Sequence, residues 1–102
     1  MRRQHENILE RLAAKAIRQG ADFLAIEYKD GYEEVVAGRG AIGYGMARFQ
    51  SSSREAMALR DGLYRIVNGK LRISVDGAHY ELRGRVYESF GEDAFRVRLR
   101  RI

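Results

Sequence analysis

A serine, an aspartate and a histidine lie close together in the last third of the chain, as Ser74, Asp76 and His79. In a hydrolase these groups would form a triad, in which the histidine takes a proton from the serine and the carboxylate orients the imidazole. Here all three flank one predicted turn, Asp76-Gly77, which makes Ser74 and His79 cross-strand neighbours. The pattern offers no separate oxyanion donors or pocket, so we interpret His79 as a surface histidine and predict no catalytic residues.

Cofactor and metal sites need patterns that this sequence does not complete. The chain has no Cys, which removes thiolate nucleophiles, disulfides and cysteine-based metal sites. His5 and His79 are isolated and lack metal-ligand spacing. Residues 38–43 match G-x-G-x-x-G, but a dinucleotide-binding loop leads directly into a helix, and here no helix signal occurs before Ser52. Because a Walker A loop is also missing, we predict a protein that is not an enzyme and holds no cofactor or metal.

Arginine is the side chain with the greatest capacity for chemistry in this sequence. Sixteen of the 19 cationic residues are Arg, and most of the net charge of +5 falls within residues 63–102. The turn signals Asn68-Gly69 and Asp76-Gly77 fix the register of the strands around them, which separates an apolar face from a basic one. The basic face is predicted to carry one acid, Glu81, and the following cations: Lys70, Arg72, Arg83, Arg85, Arg96, Arg98 and Arg100.

Two kinds of partner fit a basic sheet face, because the guanidinium fork binds both carboxylates and phosphates. A sheet that binds single-stranded nucleic acid also needs several exposed aromatic side chains. Only Tyr87 is expected on the basic face, since Tyr64, Tyr80 and Phe95 fall on the apolar one. We therefore favour an acidic protein surface as the partner, keep nucleic acid as the alternative, and leave the oligomeric state open. The predicted binding residues are Arg83, Arg85, Arg96, Arg98 and Arg100.

The elements that position these residues follow from apolar spacing and turn signals. Apolar residues at three- and four-residue intervals predict an amphipathic helix over residues 4–19, which Gly20 ends. Residues 22–29 and 32–37 flank Asp30-Gly31, a strong signal for a two-residue hairpin. This hairpin carries apolar residues on both faces and is expected to be buried on both sides.

The remaining segments complete the predicted fold. Residues 38–50 are rich in glycine and are expected to be irregular. A second helix is predicted from Ser52 to Gly62, because Ser52 and Glu55 have capping-box spacing. Four antiparallel strands are predicted after it, over residues 63–67, 70–75, 78–88 and 94–101. Residues 1–102 are therefore expected to form a single α+β domain, with two helices on a mostly antiparallel sheet (a hairpin plus a four-stranded meander) in the order α-β-β-α-β-β-β-β.

Length and composition agree with one folded domain. A chain of 102 residues with 45% hydrophobic residues can bury a core despite a charged content of 32%. The apolar runs are too short for a membrane-spanning segment or a signal peptide. We therefore expect a cytoplasmic protein with no membrane insertion.

The order of these segments resembles the N-terminal domain that precedes the motor domain in type II secretion and type IV pilus ATPases. That family opens with a helix and a segment of the type A-S-D-I-H-I-E-P, similar to residues 21–28. It continues through an Asp-Gly hairpin to a D-G-R-F-R-L-R-V-G-G stretch, similar to residues 68–77. It closes with D-L-R and G-E motifs, similar to residues 81–83 and 91–92. The resemblance covers residues 8–101 and includes no motor domain.

Some positions depart from the family pattern. The family's histidine in the first strand is Ala25 here. The alternating arginines of its second strand, which face nucleotide in the complete ATPases, are replaced by residues 33–36, with the sequence EEVV. The resemblance therefore implies a divergent, non-catalytic scaffold domain of a bacterial cytoplasmic protein, which docks onto other proteins and has lost the nucleotide-facing positions.

Overall fold

The computed structural model describes residues 7–102 and confirms the α+β class, with two helices and a six-stranded antiparallel sheet. The helices are α1 (Ile8–Arg18) and α2 (Arg54–Val67). The strands are β1 (Phe23–Lys29), β2 (Tyr32–Arg39), β3 (Ile42–Gln50), β4 (Lys70–Val75), β5 (Ala78–Ser89) and β6 (Glu92–Arg101). Residues 4–6 of the predicted first helix, which include His5, lie outside the described residues.

The sheet joins two three-stranded meanders. Its order is β3-β2-β1-β6-β5-β4, so β1 and β6 form the junction between the first meander and the second. In this pairing Phe23 lies opposite Arg98, and Ile26 lies opposite Phe95. Because successive side chains of a strand point to opposite faces, this register decides which residues of the two halves share a face.

The predicted turns Asp30-Gly31 and Asp76-Gly77 and the registers beside them are confirmed, whereas Asn68-Gly69, predicted to join two strands, follows the end of α2. Asp30 and Gly31 have φ angles of 53° and 86°, as a two-residue type I′ turn requires, and Ile26 pairs with Val35. Gly20, with φ of 85°, follows the end of α1 in the left-handed region that favours glycine. The predicted pairing of β4 with β5 is also present, residue by residue.

Residues 42–50, predicted to be irregular, form β3 at one edge of the sheet. The glycine-rich segment before them is therefore a hairpin, in which Gly38 pairs with Gly43 and Gly40 turns the chain with φ of 59°. Glycines lower the propensity of a segment for strand. The strand forms nevertheless, because β2 supplies its hydrogen-bonding partner.

The second helix differs from its prediction at both ends. Ser53 rather than Ser52 is the N-cap, and its Oγ accepts a hydrogen bond from the Ala56 N–H at 3.1 Å. Gly62 does not end the helix. It is buried against α1, where an added Cβ would lie 3.5 Å from the Leu9 Cβ, an ordinary van der Waals contact.

Residues 63–67, predicted to be a strand, are the last part of α2. Leu63 and Ile66 continue the buried helical stripe that Leu59 begins, at intervals of four and three residues. The structure thus lacks the predicted strand over residues 63–67 and has β3 in addition, so its order is α-β-β-β-α-β-β-β. The total of six strands is unchanged.

Both helices pack on the same face of the sheet and close a single core. The largest fully buried side chains come from both layers: Leu9, Leu59 and Leu63 from the helices, and Leu24, Ile26, Val35, Leu82, Phe95 and Val97 from the sheet. In the described residues no helix covers the opposite face. That open face presents the cationic side chains of β4, β5 and β6 to solvent.

We expect Leu12→Asp to lower the free energy of unfolding by about 3–5 kcal/mol, since it removes buried apolar surface and places a charge in the core. Leu12 of α1 is buried in the cluster that joins the helices to the sheet. Arg11→Asp, at the exposed neighbouring position, is the matched control. Denaturant titrations with equal midpoints for the two variants would mean that α1 is not docked on the sheet.

Candidate partner-binding groove

The open face of β4, β5 and β6 arranges its cations in rows. Lys70, Arg83 and Arg98 lie side by side across the three strands. Arg85 and Arg96 form the adjacent row. Neighbouring strands are about 4.8 Å apart, so each row brings like charges close together. This concentration of positive charge favours an anionic partner.

Glu81 lies in a third row, between Arg72 and Arg100. It is 5% exposed, accepts a hydrogen bond from Arg83 Nε at 3.2 Å, and has Lys70 Nζ at 3.8 Å from its Oε2. Burial acts to raise the pKa of Glu81, but the hydrogen bond from Arg83 and the surrounding positive charges outweigh it and hold the pKa below its ordinary value. The cationic face therefore already binds one carboxylate.

Phe23 forms an apolar floor beside these cations. The Arg96 guanidinium lies 4.0 Å from the centroid of the Phe23 ring, and the residue is 9% exposed. On the β2 side the ring contacts Gly38, where an added Cβ would lie 2.6 Å from Phe23 Cζ. A cation–π contact of this kind contributes about 0.5–2 kcal/mol. Arg96 is thus held in place before any partner binds.

An open groove of about 1260 Å³ runs across this face. The C-terminal end of α2 and the start of β4, residues 67–70, line one part of it, and Asp22 is an acidic residue at its border. The structure brings every binding residue predicted from the sequence to the lining of this groove: Arg83, Arg85, Arg96, Arg98 and Arg100.

The sequence pattern did not reveal the role of Phe23. Its proximity to Arg96 depends on the pairing of β1 with β6, two strands at opposite ends of the chain. The one sequence signal for this contact was the presence of apolar residues on both faces of β1. An apolar side chain on the open face needs a neighbouring side chain to shield it from water. Arg96 provides that cover.

Tyr87, the aromatic residue predicted on this face, is engaged by a neighbouring strand. Its hydroxyl donates a hydrogen bond to Glu27 Oε2 at 3.1 Å. Burial raises the pKa of Tyr87, and the hydrogen bond to Glu27 raises it further. The residue lies outside the lining of the groove. It is therefore poorly placed to stack on a ligand held by the arginines.

A second polar cluster lies at another end of the sheet. Glu33 is buried there and accepts hydrogen bonds from Arg60 Nη1 at 3.0 Å and Ser51 Oγ at 3.1 Å. Nearby, the Tyr64 hydroxyl donates a hydrogen bond to Asp93, and this bond is the main reason that the pKa of Tyr64 is raised. Because Glu33 has both an ion pair and a hydroxyl donor, we interpret the cluster as structural.

The remaining sequence candidates do not form a catalytic centre. Ser74 Oγ lies 3.0 Å from His79 Nδ1, but Asp76 pairs with Arg18 Nε at 3.2 Å. Within residues 7–102, no group of three or more His, Cys, Asp or Glu side chains is arranged to hold a metal ion. In the same residues, neither helix has the length and apolar content to cross a membrane.

No family model matches this sequence. A search of curated proteins likewise finds no match. The groove and the residues that line it are therefore the basis for a functional proposal.

The pairing of Glu81 has a consequence for stability at low pH. A carboxyl whose pKa is lowered by folding stabilises the protein fully above its ordinary pKa of 4.5, and this stabilisation is lost as the pH falls through the pKa of the folded state. We expect wild type to be more stable than Glu81→Gln at neutral pH and the difference to shrink on acidification. Denaturant titrations from neutral pH to below pH 4.5 measure this difference. A difference in stability that did not change with pH would contradict the pairing of the ionised Glu81 with the cations.

Removing Arg60 leaves Glu33 buried with Ser51 as its remaining side-chain donor. We expect Arg60→Ala to lower the free energy of unfolding by about 2 kcal/mol, less than for a fully buried pair because Arg60 is itself partly exposed. Arg65→Ala, on the exposed side of the same helix, is the control, since its pair with Asp61 is solvated. Equal thermal midpoints for the two variants would show that the Glu33 cluster does not support the fold.

Proposed function

We propose that this chain is a non-catalytic protein-interaction domain whose groove binds a carboxylate-rich segment of a partner protein. The observation that carries the proposal is the position of Glu81. Its carboxylate lies among the groove cations and bonds to Arg83, so carboxylate is the chemistry that this face accepts within the protein itself. A partner's carboxylates would bind the neighbouring arginines in the same way.

The spacing of the arginines favours an extended partner. Arg96, Arg98 and Arg100 alternate along β6 and project from the same face. Alternate residues of a strand are about 6.7 Å apart, and an extended peptide has the same repeat. Acidic side chains at every second position of a partner strand would therefore match these guanidinium groups. Planar guanidinium forks bind carboxylates with two parallel hydrogen bonds, which adds geometric selectivity to the attraction between charges.

The aromatic residues of the open face favour protein over nucleic acid. Bases of single-stranded nucleic acid need free rings to stack on. Phe23 is covered by Arg96, and the Tyr87 hydroxyl is bonded to Glu27. Neither ring is thus available beside the groove without rearrangement.

Nucleic acid remains the second candidate, because of one observation. Glu81 is buried, so it does not interrupt the exposed positive track along which a phosphate backbone would run. A phosphate-binding face would show a steep loss of affinity as salt increases. The binding experiment below separates the two candidates.

The resemblance of residues 8–101 to the N-terminal domains of secretion ATPases adds the cellular setting. It implies a scaffold in the bacterial cytoplasm that docks onto other proteins, as the proposed groove would allow. The residues that face nucleotide in those ATPases are replaced here, which supports a role without nucleotide.

The double variant Arg85→Ser/Arg98→Ser tests the groove with little disturbance to the fold. Both side chains are exposed on the groove. Lys70 and Arg83 pair with Glu81, and Arg96 stacks on Phe23, so the variant keeps these contacts. We expect the variant to bind an extended peptide of alternating Glu and Ser at least about tenfold more weakly than wild type, since each lost contact is charge-assisted. Fluorescence anisotropy of the labelled peptide measures the affinity.

Arg11→Ser/Arg54→Ser has the same net charge and serves as the matched control, because both residues are exposed on the helices. A peptide with Gln in place of Glu and a single-stranded RNA of equal length complete the comparison. Equal affinities of the groove and control variants would overturn the proposal. Submicromolar binding of the RNA at physiological salt, tighter than that of the acidic peptide, would replace it with the nucleic-acid function.

A further inference from the structure

Phe90 occupies the tip of the hairpin between β5 and β6 and is fully exposed. Its φ angle is 52°, and Gly91 follows with 82°, so the two form a left-handed turn pair. The first position of such a turn favours Asn, Asp or Gly. The other two-residue turns of this kind in the described chain use Asp30 and Asp76 there. Phe90 is thus explained neither by the turn nor by packing within the molecule.

The side chains beside Phe90 are acidic. Glu88 precedes the turn, Glu92 and Asp93 follow it, and all three are exposed. The hairpin tip, defined as residues 88–93, therefore presents an aromatic ring among carboxylates. A complementary surface would be cationic and would offer guanidinium groups on which the ring can stack.

The arginine groove has these properties, because Arg83, Arg96 and Arg98 line it. We propose that the hairpin tip of one copy of this chain docks in the arginine groove of a second copy. The inference rests on the proposed function, because it uses the same groove and names a carboxylate-bearing partner for it. In this arrangement the Phe90 ring stacks on a guanidinium group of the groove, and Glu88 and Glu92 pair with neighbouring guanidinium groups.

The contact has to form between two molecules. Arg83 belongs to β5 and Phe90 directly follows the end of that strand, so seven residues of nearly extended chain separate them by about 23 Å. The strand is paired with β6 along this length, which prevents the tip from folding back onto its own groove.

Tip and groove are different surfaces, so the contact is head to tail. Each added copy leaves one free tip and one free groove, and such contacts generate chains or rings instead of a symmetric dimer. Charge attraction contributes to the contact, so salt weakens it. The proposal therefore predicts an average mass that increases with protein concentration and decreases with salt.

Phe90→Asn is the decisive variant, since Asn suits the left-handed turn but removes the aromatic ring. Sedimentation velocity at low salt is expected to give a mass above 11.7 kDa for wild type, rising with concentration, and 11.7 kDa for Phe90→Asn at every concentration. The thermal midpoint of Phe90→Asn is expected to equal or exceed that of wild type, which excludes unfolding as the cause. Ile42→Ser is the control, because Ile42 is 76% exposed at the opposite end of the sheet, and this variant should associate like wild type.

A mixing experiment tests the direction of the contact. Phe90→Asn keeps an intact groove, and Arg85→Ser/Arg98→Ser keeps an intact tip. Each variant alone should be monomeric, whereas an equimolar mixture should form one-to-one complexes of twice the monomer mass. A mixture that stays monomeric, a wild type that stays monomeric at millimolar concentration in low salt, or a Phe90→Asn variant that associates like wild type would each overturn the inference.

The acidic peptide distinguishes this inference from the proposed function. Phe90→Asn should bind the peptide with at least the affinity of wild type, because its groove is unchanged. Peptide binding that requires Arg85 and Arg98, together with no self-association, would refute the inference and leave the proposed function standing. If the protein self-associates but does not bind the peptide, the proposed function, which is the binding of extended acidic segments, would be refuted.

Discussion

The pairing of β1 with β6 is the contact on which both faces of the sheet depend. It joins the two meanders, and its register places Ile26 and Phe95 together on the face that the helices cover. The same register places Phe23 next to Arg98 on the open face. A shift by one residue would exchange the two faces and expose the apolar set. One junction thus determines both the core and the lining of the groove.

Short-range features of the fold could be predicted from the sequence. Asp-Gly turns specify their own φ angles, so the pairing of β1 with β2 and of β4 with β5 follows from local chemistry. Features that depend on distant partners could not be predicted. Gly62 is a helix-ending signal taken alone, but in the structure it lies inside α2, in the face that packs against Leu9 of α1.

The same distinction holds for the candidate site. The exposed arginines were predictable, because alternation along a strand is a local property. The burial of Glu33 depends on Arg60, a residue of a helix that packs beside it, and the position of Phe23 depends on a strand near the other end of the chain. The sequence therefore predicts the charges of the groove better than it predicts their apolar floor.

Glu81 also affects which ligands the groove can select. A carboxylate that is permanently present competes with any incoming acid for Arg83. A single acidic side chain that binds at Arg83 would have to displace this resident group, with little net gain. A strand with several acids would instead use the remaining arginines at the same time, so that its second and third contacts form at a high effective concentration. Under the proposed function, this competitor would favour ligands that bind several groove arginines over ligands that bind Arg83 alone.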